Sequence, residues 1–435
     1  MVSHSLACGA WPWPVQPPIR LAATLLLGLN LLGSHLIASA VTFDDALKTA
    51  EEQSLLLAAS RASVQGNAAA RAAAGQLPDP ELKMGIDNLP VSGPDAGHWA
   101  RDSMTMRRLG WMQAVPNAGR RAAQVDAAEA QWRQATAMAE IERLKIRRDV
   151  ALAWLKSHFA QRQLDEFAAV ETEHQLLVRT MEARIASGKA LPADAAMARQ
   201  QTIELQDRRD ELQLQRDKSL LLLERWLGAA DQGGPQGDPP PWIHGEPSAA
   251  PPDGAKFQTG TPVWMPLLMV ADAEIATAQA QVRESQASKG IDWSWEVGYG
   301  KRASQYGDML SFQLSFTLPT SPGTRQEPLI LQKAQELERL TAQREDAARR
   351  LSSLARIQQA EVAQARRAWL RQREHTVPLV QERTRLLTAS YEAGRADLGS
   401  VLTARREAAD AALRAVELEG NLAQVQASLK FFAGE

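Results

Sequence analysis

The chain has 435 residues and carries 49 Lys+Arg against 51 Asp+Glu, a net charge of −2, which excludes the basic excess of a nucleic-acid binder. Its one cysteine, Cys8, excludes a disulfide scaffold and a cysteine-based metal cluster. Aromatic residues are few and lopsided, with 12 Trp, 8 Phe and 3 Tyr, and the abundant Ala, Leu, Gln, Arg and Glu are the vocabulary of long helices.

In chain order, Arg20 precedes an apolar run over Leu21–Leu32 and an Ala38-Ser39-Ala40 site, the pattern of a secretory signal peptide spanning residues 1–40. An attached membrane anchor is the competing reading, and the Trp11-Pro12-Trp13-Pro14 segment has no physical account. After residue 40 the chain holds no cysteine and no run of 18 or more apolar residues, so membrane insertion of the mature chain requires β-strands.

Two repeats follow, at 41–228 and 263–435. Each reads as helix, two strands, a very long helix, a turn and a return helix. Thr42 and Asp45 form a capping pair for a first helix that runs to about Gln76, ended by Leu77-Pro78-Asp79-Pro80. Strands are expected at about 81–89 and 103–115. Asn117–Ser187 is then helical over about 70 residues, or roughly 105 Å. Its narrow stripe of Val125, Trp132, Met138, Ile141, Leu144, Ala151 and Leu155 fits a coiled-coil seam. Ser187-Gly188 breaks it, and a return helix reaches Gly228. Residues 229–262, rich in Gly and Pro, read as a linker or equatorial segment. The second repeat has a helix near Val263–Ala287, strands at about 291–300 and 309–318, and a helix from about Gln326 with a stripe of Leu337, Leu340, Ala347, Leu351 and Leu354. Pro378 should kink that helix, and Ala393-Gly394 should end it. The punctuation repeats: Gly188 to Gly394 and Gly228 to Gly434 are each 206 residues, and Pro116 to Pro319 is 203.

The four strand segments alternate apolar and polar residues, as in Trp293, Trp295, Val297 and Tyr299 against Asp292, Ser294, Glu296 and Gly298. Met104 and Met106 share one parity and Leu109 and Trp111 the other, so a bulge at Arg107-Arg108 is expected. A bulky apolar face suits lipid, although a half-buried soluble sheet shows the same alternation. Four strands cannot close a barrel, and lipid forbids an open edge, so a cyclic homo-oligomer is implied; three copies supply twelve strands. The polar face, with Glu81, Lys83, Asp87, Asp292 and Glu296, then lines a pore whose acids favour cations. The loops Leu89–Asp102 and Lys301–Asp308 form its outer tips.

Arg184–Gly188 and Tyr391-Glu392-Ala393-Gly394, each before a return helix, and the joints Val115-Pro116-Asn117 and Leu318-Pro319-Thr320 resemble the TolC family of outer-membrane efflux channels. The resemblance implies a mainly α fold with a trimeric 12-strand membrane β-barrel and a periplasmic coiled-coil tunnel. It also implies a periplasmic adaptor and an inner-membrane pump, of RND type, as partners. By the same resemblance Ser187, Gly188, Lys189, Ala393, Gly394 and Arg395 are adaptor-docking tips, and Tyr391, Asp194 and Asp397 belong to the aperture. Ser400 and Thr403 stand where family members carry acids. For Asp194 and Asp397, helix-terminal charge stabilisation is an equal alternative. A narrower likeness, to the heavy-metal branch with its CzcC-like and CusC-like channels, rests on Leu77–Leu82, Asp87-Asn88 and Met104–Arg108. Met84, Met104, Met106 and Met112 suit Cu(I), but apolar filling of lipid-facing positions accounts for them better. His98, His158, His174, His244 and His375 lack metal-ligand spacing. No metal site, cofactor or enzyme signature is expected, and no nucleic-acid partner. The expected function is a passive exit duct of a tripartite efflux system exporting heavy-metal cations. A type I secretion or drug-efflux channel, or a periplasmic adaptor or scaffold, are the alternatives.

Overall fold

The computed structural model describes residues 41–188, 190–228, 234–245 and 266–432. The expected signal peptide, most of the 229–262 segment, Lys189 and Gly434 lie outside the described residues.

The first helix is two. Helix α1 (Phe43–Gln53) starts at Thr42, whose hydroxyl oxygen accepts the Asp45 N–H. It stops at Ser54, which is extended and whose Oγ accepts the Leu57 N–H to begin α2 (Leu55–Ala73). A serine that satisfies a free N–H outside the helix ends one helix and starts another, which the periodicity alone does not show. Strands β1 (Glu81–Asp87) and β2 (Met106–Val115) form a hairpin, and α3 (Ala118–Ala186) follows. Asn117 caps α3, its Oδ1 accepting the Arg120 N–H at 2.8 Å. At 69 residues α3 is about 104 Å long. It returns as α4 (Pro192–Leu227). A 3₁₀ turn over Pro241–His244 lies in the inter-repeat segment. The second repeat comprises α5 (Pro266–Ala287), β3 (Asp292–Lys301), β4 (Met309–Thr317), α6 (Pro322–Arg371), α7 (Val377–Glu392) and α8 (Leu398–Phe432). Helix α6 begins four residues before the expected Gln326, with Pro322 in the first turn where its missing N–H costs nothing.

Between α6 and α7, Gln372–Thr376 form a π turn, and the Val377 N–H bonds back to the Gln372 carbonyl. The expected kink at Pro378 therefore takes the form of a bulge one turn ahead of the ring that cannot donate.

Of the stripe expected along α3, Leu144, Ala151 and Leu155 are buried, but its N-terminal part runs along small residues instead. Ala123, Ala130, Ala137, Leu144 and Ala151 recur every seventh position and are buried, whereas Val125 and Met138 are exposed. In α6 the buried positions are Ala348, Ala355, Val362, Ala365 and Trp369, one residue on from the expected Ala347 and Leu354. Alanine lets helix axes approach closely, so the contact line runs where the side chains are smallest. Helix α3 is the spine, packing against α1, α2, α4, α5 and α8 along its length.

The main core sits where α1, α3, α4, α8 and the inter-repeat turn meet. Phe43, Trp154, Leu155, Leu223, Ile243 and Phe431 are buried together. Val41 pairs in parallel with Pro235, and the Trp154 indole N–H donates to the Val41 carbonyl at 2.9 Å. The start of the first repeat and the segment that joins the two repeats are thus tied to the middle of α3.

The sheet is antiparallel in the order β1-β2-β3-β4, with β1 and β4 as edges. No bulge occurs at Arg107-Arg108: β2 pairs in unbroken register with β1 (Asp87 opposite Met106 through Glu81 opposite Met112) and with β3. Parity is therefore continuous along β2, and Met106, Arg108 and Met112 fall on the face of Glu81, Lys83 and Asp87.

Candidate functional site

Two places concentrate the chemistry: the sheet and the hairpin turns. On one sheet face Leu82, Met84, Ile86, Leu109, Trp111, Trp293, Tyr299, Leu310, Phe312, Leu314 and Phe316 are all exposed large apolar side chains. A contiguous exposed apolar face of this extent marks a surface made for lipid or protein. No helix among the described residues is long and apolar enough to cross a membrane.

The opposite face is polar, and its charges are joined. Glu296 of β3 receives Lys83 Nζ from β1 at 3.0 Å and Arg108 Nη2 from β2 at 2.7 Å. The other Arg108 arm, Nη1, lies 3.5 Å from Asp87 Oδ2. Asp292 accepts the Asn117 N–H at 2.8 Å and pairs with Arg120 Nη1 at 3.3 Å, tying β3 to the start of α3. Of the residues expected on this face, Lys83, Asp87 and Glu296 are brought together. Asp292 lies apart at the helix joint, and Glu81 forms no ion pair among the described residues. Arg108 was not expected in the cluster, because alternation within β2 alone left its face open at the inferred bulge. Unbroken pairing between hydrogen-bonded strands places it here. The same register moves Met106 and Met112 away from the lipid-type face, so apolar filling of that face accounts for Met84 only. Met112 Sδ accepts from Lys83 Nζ at 3.1 Å.

At the other end, Gly188 and Gly394 both have φ of +69°, and their N–H groups bond at 3.0 Å to the carbonyls of Ile185 and Tyr391 respectively. Ser187 and Ala393 bond at 3.1 Å to Ala183 and Ala389. The two turns are the same device, 206 residues apart. A Cβ on either glycine would meet nothing within 4 Å, so only the left-handed backbone requires glycine there. Arg395 adds a bond from its N–H to the Ser390 carbonyl.

The expected aperture residues are engaged locally. Asp194 accepts the Leu191 N–H at 2.8 Å. Asp397 accepts the Ser400 N–H at 2.8 Å and the Ser400 hydroxyl at 2.7 Å, and these bonds hold its carboxyl below the usual range. Both are helix caps. Tyr391 packs beside Met181, Ala198, Leu398 and Leu402, where the two hairpins of one chain meet. The Arg184 guanidinium lies over its ring at 4.4 Å, a contact that Arg184's place in the turn motif did not reveal.

No group of three His, Cys, Asp or Glu among the described residues is placed to hold a metal ion.

Four strands with one polar and one exposed apolar face, carried on duplicated helical hairpins, define a class: the fold is that of outer-membrane channels with four strands per protomer and a helical tunnel. The solved structures bear this out. VceC of Vibrio cholerae matches with a TM-score of 0.72 at 18% identity, covering 90% of this chain and 96% of that one. MtrE of Neisseria gonorrhoeae, an outer-membrane channel in its open state, matches at 0.71 and 15%, covering 98% of both. CusC matches at 0.71 and 15%, covering 90% and 92%. No protein-family model and no curated protein matches the chain. The likeness to CusC is no greater than to the others, so it singles out no metal branch.

Proposed function

We propose that the chain is the outer-membrane channel of a tripartite efflux system. Three copies close a twelve-strand barrel, and their helical hairpins form a tunnel in the periplasm. The two glycine turns dock a periplasmic adaptor, and an inner-membrane pump of RND type supplies the energy. The observation that carries this reading is the four-stranded sheet: one face is exposed and apolar, the other is polar, and neither edge strand has a partner among the described residues. Lipid tolerates such a sheet only when its edges are paired, and neighbouring copies of the same sheet supply that pairing. The duct itself is passive.

Separation of inner and outer membranes, with native mass spectrometry of the detergent-extracted protein, tests the reading. Outer-membrane location and a trimer are expected. Recovery with the inner membrane, or as a soluble monomer, overturns it.

Heavy-metal cations are the narrower substrate reading. It rests on the motif likeness at Leu77–Leu82, Asp87-Asn88 and Met104–Arg108. Deleting the gene should then raise sensitivity to metal salts and leave sensitivity to organic drugs unchanged. Drug sensitivity instead supports a drug-efflux channel, and loss of a secreted protein supports a type I secretion exit.

A further inference from the structure

We propose that the polar sheet face is an electrically compensated wall, laid flat into glycine slots, so that the barrel passes its cargo without selecting by charge. This rests on the reading of that face as a pore lining.

The slots come from the register. Gly110 of β2 and Gly298 of β3 are direct cross-strand partners, which leaves a patch of bare backbone across two strands. Glu296 enters it from one diagonal: a Cβ on Gly110 would lie 3.0 Å from Glu296 Oε1. Arg108 enters from the other: a Cβ on Gly298 would lie 3.0 Å from Arg108 Nε and 2.7 Å from Ser311 Oγ. Carboxylate and guanidinium meet over the glycine pair at 2.7 Å. A third glycine, Gly300, repeats the arrangement with Met106 Sδ at 3.1 Å.

Burial shows the effect. Among the described residues no other element packs on this face, yet the Glu296 side chain is 12% exposed and that of Arg108 31%. Arg108 Nε is buried without a hydrogen-bond partner, pressed against the bare backbone. Side chains that stood away from the sheet would be solvated; these lie along it.

The charges also balance. Lys83, Glu296, Arg108 and Asp87 form one chain across three strands, with two positive and two negative groups. Opposite charges at contact distance present little net field a Debye length away, about 8 Å at physiological ionic strength. Asp292 is likewise matched by Arg120, which leaves Glu81 as the acid of this face without a cation among the described residues. The acid-lined, cation-favouring pore expected from Glu81, Asp87, Asp292 and Glu296 is thereby reduced to one carboxylate per protomer. Cationic, neutral and anionic cargo share the duct, and discrimination falls to the pump.

Charged thiol reagents applied from the outside read the potential at the wall without depending on the tunnel tip. In a Cys8→Ser background, Gln313→Cys places a thiol on this face, because Gln313 is the cross-strand partner of Glu296. Its reaction rates with a trimethylammonium-ethyl and a sulfonatoethyl methanethiosulfonate are compared with those of a free thiol. The cationic-to-anionic ratio is expected within about threefold of the free thiol. Adding Arg108→Ala leaves Glu296 under-compensated and should raise the ratio about fivefold; Glu296→Gln should lower it by a similar factor. Where Arg108→Ala fails to assemble, Glu296→Gln decides alone. A ratio more than tenfold in favour of the cation before these changes, or one that neither substitution moves, overturns the compensated wall and leaves the pore reading standing. A Gln313→Cys thiol that neither reagent reaches, in an assembled trimer, overturns the pore reading and the proposal with it.

Discussion

Gly394 shows how little of a side chain a turn requires. Its φ of +69° is the whole constraint, since a Cβ there meets no atom. Gly394→Val should cost about 1–2 kcal/mol of local backbone strain, distorting the tip and impairing adaptor capture while trimers still form. Gly394→Asn, which tolerates the left-handed region, should preserve both. Pull-down of the adaptor alongside trimer recovery checks the pair of outcomes; docking that persists in the valine variant removes the turn from the interface. His158 is a second residue-scale case. It stacks on Trp154 at 5.1 Å, and burial, with Arg162 nearby, pushes its pKa down to about 4. The unfolded chain takes up the proton first, so the stability that rests on neutral His158 is complete above about pH 6.5 and is lost as pH falls toward 4. Because the ring is only half-buried, the loss is about 1–2 kcal/mol rather than the full shift. Denaturation of the detergent-solubilised protein at pH 7 and pH 4.5 should show a smaller acid loss in His158→Gln. An equal loss in both would mean that the ring titrates normally.

The long second-repeat helix carries its defect as a π turn over Gln372–Thr376, where Gln372 Nε2 donates to the Ala411 carbonyl of α8 at 2.9 Å. Pro378 is the cause, since it offers no N–H to the preceding turn. Pro378→Ala should allow a regular helix and slow amide exchange across 372–382; unchanged exchange would place the cause in packing against α8. At the middle of α3, Trp154 is fully buried and bonds to Val41. Trp154→Ala should cost about 3–5 kcal/mol and free the N-terminal segment from the inter-repeat segment, a change visible as new proteolytic cleavage near Val41. Element existence was legible from the sequence because Pro, Gly and Asn sit at the boundaries and act locally. The break at Ser54 and the straight course of β2 were not. One depends on which hydrogen bond a serine makes, and the other on ladders to two neighbouring strands, one of which, β3, pairs Arg108 with Gly300 192 residues away.

For the whole molecule, the edges of β1 and β4, unpaired among the described residues, are where the proposed assembly is tested. Gly85→Cys combined in turn with Ser311→Cys, Gln313→Cys and Ser315→Cys, all in a Cys8→Ser background, should give a disulfide-linked ladder up to a trimer with at least one pair. No crosslink with any pair would mean that the edges do not meet in neighbouring copies. By itself the sequence determined the helix-strand-strand-helix order repeated twice, the glycine turns and the four alternating strands, because each depends on local backbone preference or a short period. The aromatic supply already pointed the same way: 6 of the aromatics fall in the 42 residues expected as strands, against 15 in the other 353 after residue 40. Only the tertiary structure decided that Arg108 joins Lys83, Asp87 and Glu296 on the polar face and how their charges are used. Register is fixed by pairing between strands, β2 and β3 lying far apart in the chain, and unbroken pairing along β2 turns Met106 to the polar face and sets Arg108 beside Glu296. The seam obeyed the same logic, running along Ala123, Ala130 and Ala137, where small side chains let helices approach, rather than along the larger residues that the pattern made conspicuous.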